Sequence, residues 1–180
     1  MNPQLRNSLN TLDDELSKLL EELKNYSEAD LNRRPKPGAW SALQVLQHLM
    51  RSEELSQRYV AKKLSFDPEL KNKNLASSFR SIILQAYLRS PLKRKAPDAI
   101  GDQALPETSS FWEVAKQWKN QRVQLAEYLD QLPPEYSKKQ IYKHPFIGRL
   151  TLNQMLHFFQ AHFYRHRKQI KKALIFPPDR

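Results

Sequence analysis

The sequence predicts an all-α protein: a four-helix bundle of the up-down-down-up type, with a long crossover between its second and third helices. Three observations carry this expectation. Apolar residues recur at helical spacing in four separate stretches. Each stretch opens on a helix-start signal, either Pro at the first position or Ser/Thr with Gln or Glu three residues later. Only three Gly occur in 180 residues, too few for the turns of a β-rich chain or the phosphate loop of a dinucleotide-binding sheet. One domain, residues 1–180, is expected, long enough to bury a core.

In the first stretch Leu5, Leu9, Leu12, Leu16, Leu19, Leu23 and Tyr26 alternate in steps of four and three, behind Asn2 as N-cap and Pro3 at the first position. Ser27 to Ala39 is a connection ended by Pro35, Pro37 and Gly38. The second helix opens on a capping box, Ser41 with Gln44, and carries Ala42, Val45, Leu46, Leu49, Met50, Leu55, Tyr59, Val60 and Leu64. Ser65 to Thr108 reads as the irregular part. A short helix is predicted at Ser78–Arg89, and Pro91, Pro97, Gly101 and Pro106 follow it. So long a connection in a compact domain is expected to be functional, a lid over the open end of the bundle.

The third helix starts at Ser110 with Glu113, and carries Phe111, Val114, Trp118, Leu125, Leu129 and Leu132 up to Pro133-Pro134. The fourth starts at Thr151 with Gln154. Its stripe is Leu152, Met155, Leu156, Phe159, His162, Phe163, His166, Ile170 and Ala173, and Phe176-Pro177-Pro178 end it. Trp40, Trp112 and Trp118 are assigned to the core.

Cysteine is absent, which excludes disulfides, thiolate metal sites and cysteine nucleophiles and leaves five His as the soft ligands. No leader-like start and no membrane-spanning run is present, so a cytoplasmic protein with no membrane association is the expectation. The net charge is +11, and no acidic residue occurs from Tyr136 to Pro178. An excess of this kind attracts nucleic acid, an anionic membrane or a small anionic ligand.

His162 and His166 stand one helical turn apart on the apolar stripe, where an imidazole is costly to bury without a partner. His48, inside the second helix, can complete a set of three. Three neutral imidazoles with an open fourth position make a catalytic rather than a structural metal centre. The spacing fits core histidines satisfied by hydrogen bonds equally well. His157 is turned away from this face, and His144, before Pro145, is open between a place near the site and none. Phe163-Tyr164-Arg165 fills the gap where a zinc protease carries its Glu base. Without that base, the chemistry suits activation of a bound thiolate or water more than peptide hydrolysis. Glu53 and Glu54 are the carboxylates nearest His48 in sequence and are expected on a solvated face. Arg165, Arg167, Lys168, Lys171 and Lys172 are expected as a solvated face that favours the helix C-terminus. Holding an anionic substrate is their alternative role.

Two segments together resemble the DinB/YfiT-like superfamily. Pro35-Lys36-Pro37-Gly38-Ala39-Trp40-Ser41 running into Val45-Leu46-Gln47-His48-Leu49 is similar to its second-helix signature. His144-Pro145-Phe146-Ile147-Gly148-Arg149-Leu150-Thr151, followed by His162, His166 and Gln169-Ile170, is similar to its fourth-helix signature. The resemblance covers nearly the whole chain. It implies a four-helix bundle holding a divalent metal, zinc or nickel, on His48, His162 and His166. It also implies a thiol-dependent transferase or isomerase using bacillithiol or mycothiol, or a metal-dependent hydrolase. Arg165 departs from relatives that carry a further His there. The expected partners are a small-molecule substrate, open to being anionic, and by analogy a second copy in a homodimer. The competing function is a non-catalytic basic module binding nucleic acid or another anionic partner, which no helix-turn-helix or zinc-finger signature supports.

Overall fold

The leucine stripe of the first stretch forms helix α1 (Pro3–Leu23), whose first free amide, that of Gln4, is held by the Asn2 side chain. In the computed structural model, which describes residues 1–90, 92 and 97–175, five further α-helices follow: α2 (Glu28–Asn32), α3 (Ala42–Leu64), α4 (Leu75–Arg89), α5 (Phe111–Gln131) and α6 (Leu152–Ile175). Pro91 and Phe176-Pro177-Pro178 lie outside the described residues. Short 3-10 turns occupy Asp98–Ile100, Asp102–Ala104 and Pro134–Lys138. The all-α expectation gains one addition: strands β1 (Tyr142–His144) and β2 (Gly148–Leu150) pair antiparallel, with Lys143 opposite Arg149, directly before α6. Gly148, at φ +83°, supplies the left-handed turn residue that lets so short a hairpin close.

The bundle is made of α1, α3, α5 and α6. Contacts fix their directions. Ser8 meets Asn153 and Glu15 meets Arg167, so α1 and α6 run the same way. The Met1 ammonium reaches Asp130 at 2.7 Å while Glu28 reaches the first turn of α5, so α5 runs opposite to α1. Leu46 shares a cluster with Phe111 and Val60 shares another with Leu129, so α3 and α5 are parallel. The order is up-down-down-up. The crossover from the end of α3 to the start of α5 therefore has to travel the length of the bundle, and it lays α4 against α6 on the way.

The core falls into two apolar clusters along the bundle axis. One gathers Leu5, Leu9, Leu12, Val60, Leu125 and Leu129, and the other Leu16, Leu19, Leu46, Leu49, Trp118 and Phe163. Between them lies a polar waist. Arg122 of α5, 2 % exposed, donates to Glu53 of α3 at 2.5 and 2.7 Å and to Asp13 of α1 at 3.1 Å. Trp118 adds a fourth bond, to Glu53 at 2.9 Å. Glu53 is thus not on a solvated face, because its carboxylate is the only buried anion offered to a buried guanidinium among the described residues. Glu54 stays outward and pairs with Arg58.

Two of the three capping boxes form. Ser41 and Gln44 exchange both bonds at the start of α3, and Thr151 and Gln154 do so at the start of α6. The box expected from Ser110 and Glu113 does not. Ser110 and the amide of Phe111 both bond to Glu28 of α2 instead, at 2.9 Å each. A tertiary carboxylate has replaced the local cap, an anion at a helix N-terminus where the dipole favours it. Trp118 is fully buried as expected, but Trp112, on the other side of α5, is 60 % exposed. The crossover helix begins at Leu75, capped by Asn74, three residues before the expected start.

Candidate metal centre

His162 continues the polar waist on α6, and one turn later His166 follows it; both side chains are nearly closed off from solvent. Because α3 and α6 are antiparallel and packed together, His48, in the first half of α3, meets the middle of α6. The three rings are mutual neighbours, with centroids 5.0 Å (His48–His162), 4.7 Å (His48–His166) and 4.6 Å (His162–His166) apart. One ligand nitrogen from each lies within 4.8 Å of the other two.

Hydrogen bonds orient two of these rings. His48 Nδ1 is 2.8 Å from the carbonyl oxygen of Ile100. A carbonyl oxygen only accepts, so Nδ1 carries the proton and the Nε2 lone pair is left for the centre. His166 Nδ1 is likewise 2.8 Å from Gln169 Oε1, one turn along α6. Partners of this kind set the tautomer of a metal-binding imidazole and raise its donor strength. His48 Nε2 stands 3.2 Å from His162 Nε2. Two nitrogens on one tetrahedral ion at ordinary bond length are separated by about 3.3 Å, so the pair is spaced as co-ligands are.

The electrostatics match. Burial lowers the pKa of His48, against the opposing pull of the Ile100 carbonyl. Burial also lowers His166, to about 3, helped by His48. His162 is pushed well down, first by burial and then by His166, His48, His144 and Arg165. Three imidazoles held neutral at neutral pH need no proton loss before binding a cation. The donor set therefore fits a divalent ion that takes imidazole readily.

Around the triad, the Trp40 ring lies 4.8 Å from His48, and Phe158 stacks on His162 at 5.2 Å. His144, left open by the sequence, is buried on β1 with its ring edge-on to Phe158 at 4.7 Å. The amide of Phe146 donates to its Nδ1 at 3.2 Å, which puts the ring proton of the neutral form on Nε2. Burial lowers its pKa to about 4. His157 stays apart from the triad, half-buried near Lys73.

Both arginines of α6 are spent on the fold rather than held free. Arg165 donates to the carbonyls of Tyr87, Leu88, Ser90 and Leu92 at the end of α4, and Arg167 binds Glu15 and Glu22 of α1. Only part of the surround had a signal in the sequence. Gln169 sits at helical spacing from His166 and is legible there. The Ile100 carbonyl is not, because a main-chain acceptor on a crossover carries no residue-type signature.

Residues 11–170 match the family model of the DinB superfamily. The chain is 26 % identical over 153 residues to the Bacillus subtilis protein YuaE, an uncharacterized protein, covering 84 % of this chain and 87 % of that one. Its fold is similar to that of YfiT from Bacillus subtilis, described as a probable metal-dependent hydrolase with an unusual four-helix bundle topology. The TM-score is 0.56 at 14 % identity, over 96 % of this chain and 87 % of the other. With the family model spanning the bundle and all three of its inward histidines, the chain belongs to the DinB superfamily.

Proposed function

We propose that this chain is a metal-dependent enzyme that uses a thiol or water as nucleophile against a small electrophilic molecule. His48, His162 and His166 would hold one divalent ion, zinc or nickel. The single observation that supports this most is the convergence of three buried, neutral imidazoles with their ligand nitrogens within 4.8 Å of one another. Bound there, such an ion lowers the pKa of a coordinated thiol or water and stabilises charge on the substrate.

The chain's own residues divide the remaining tasks. Ile100 and Gln169 fix the rings of His48 and His166. Trp40 and Phe158 cover the triad with apolar surface, which excludes water and strengthens electrostatic contacts inside. His144, neutral and with its proton on Nε2, would be a hydrogen-bond donor for a substrate oxygen near His162. The triad contains no carboxylate, so the nucleophile would have to ionise on the metal, as a low-molecular-weight thiol such as bacillithiol and a bound water both can. Transfer of the thiol to the substrate and hydrolysis by the bound water are the two reactions this leaves.

Protein purified without chelator is expected to carry about one divalent ion per chain, measured by elemental analysis. His162→Ala should lose it. Stoichiometric metal in the triple His48→Ala/His162→Ala/His166→Ala variant would overturn the site. Parallel assays with thiol and acceptor, and with acceptor and water alone, separate transfer from hydrolysis.

A further inference from the structure

Helix α4 is built inside out. Ser77, Ser81, Leu84 and Leu88 are its buried side, and it packs on α6. Its outer side carries Leu75, Phe79, Ile82 and Ile83, which are 90, 65, 63 and 45 % exposed. The outer residues step by four and three, as do the inner ones, so the helix has two faces and the more apolar one looks at water. A helix on the outside of a globular protein has the opposite arrangement, and a contiguous apolar patch of this kind marks a contact surface.

Charge indicates what covers it. Between Glu69 and Asp98 the sequence has no acidic residue, while Lys71, Lys73, Arg80 and Arg89 fall within or next to α4. The fold then brings more cations alongside. Lys73 N donates to Lys138 O at 2.7 Å and Gln140 N to Lys71 O at 2.8 Å, which sets Lys71 and Lys73 beside Lys138 and Lys139. Arg80 ties α4 to the hairpin through the Arg149 carbonyl at 3.0 Å, where Arg149 faces Lys143 across the strands. Among the described residues, none of Lys71, Lys73, Lys138, Lys139, Lys143 and Arg149 belongs to an ion pair. Like charges set opposite one another cost stability, and gathering them without ion-pair partners is the mark of a surface that meets an anion.

Three occupants can be weighed on these facts. A second copy of the chain would cover the apolar face but would bring the same cations against these. Nucleic acid would answer the charge but leave Leu75, Ile82 and Ile83 in water, since aliphatic side chains do not stack on bases as aromatic rings do. An anionic lipid surface answers both, its headgroups taking the lysines and its acyl boundary the aliphatic face. No described helix is long and apolar enough to cross a membrane, so the contact is one that lies on the surface. We propose that α4, with the basic rim around its N-terminal half, docks this protein on an anionic phospholipid surface.

The test is co-sedimentation of the full chain with vesicles of phosphatidylcholine containing roughly a third phosphatidylserine. Binding is expected, falling at least about tenfold on pure phosphatidylcholine, and by a similar factor when salt is raised to about 0.5 M. Phe79→Gln/Ile82→Gln should lower it about tenfold while leaving the melting temperature unchanged, since both side chains are outside the core. Lys71→Glu/Lys73→Glu should lower it comparably. Absence of binding to the anionic vesicles overturns the proposal, as does binding that the Phe79/Ile82 variant leaves intact. A concentration-dependent dimer that this variant dissolves would assign the face to a second copy. Binding of a DNA duplex that survives this variant and competes with the vesicles would assign the rim to nucleic acid. Either of these results also overturns it.

Discussion

His144 and His166 are held neutral by burial alone or chiefly by burial, at about 4 and about 3. An unfolded imidazole takes its proton near pH 6.5. Below that value the unfolded chain binds more protons than the folded one, so stability rises with pH across the interval. Metal-free protein is therefore expected to weaken as pH falls below about 6.5 and to go on weakening toward about 3. By about pH 5 each of these two imidazoles should account for roughly 2 kcal/mol. Urea unfolding of chelator-treated protein across that range measures it, and a flat profile would show that the rings are solvated. Glu53 makes the opposite kind of demand. Its removal in Glu53→Ala leaves the buried Arg122 guanidinium with the half-exposed Asp13 alone and should cost about 3 kcal/mol. Glu53→Leu/Arg122→Met, which removes both charges, should recover most of that loss in the same urea measurement.

At the scale of the element, helix starts show how far a local pattern reaches. Ser41 with Gln44 and Thr151 with Gln154 close capping boxes within their own four residues, and both were readable as sequence. Ser110 with Glu113 has the same pattern but is capped by Glu28 from another helix. Glu28→Ala should therefore cost about 1 kcal/mol, and Glu113→Ala a few tenths at most, in paired thermal melts. Equal effects would restore the local box. The two faces of α4 make a similar point. Phe79, Ile82 and Ile83 recur at helical spacing, which correctly marks a helix, yet periodicity finds an apolar face without saying whether it turns to the core or to water.

The whole molecule joins the crossover to the centre. His48 holds Ile100, Arg51 holds Ala99 at 2.7 Å and Gln44 holds Pro106 at 3.2 Å, so one face of α3 fastens residues 98–106. Binding a divalent ion on the triad should tighten this tie. Amide exchange in residues 98–104 is expected to slow by about tenfold or more on metal addition, and no change there would detach the crossover from the site. By itself, the sequence determined the four bundle helices, their apolar stripes, three of their caps and the three histidines, because each is written in spacing along one helix. Which helices pack, and therefore that His48 meets His162 and His166, was settled only by tertiary structure. So were the burial of Glu53 against Arg122 and the outward turn of the apolar face of α4. Each of these depends on where the crossover carries the chain, and a crossover's path is fixed by packing at a distance, to which local periodicity is blind.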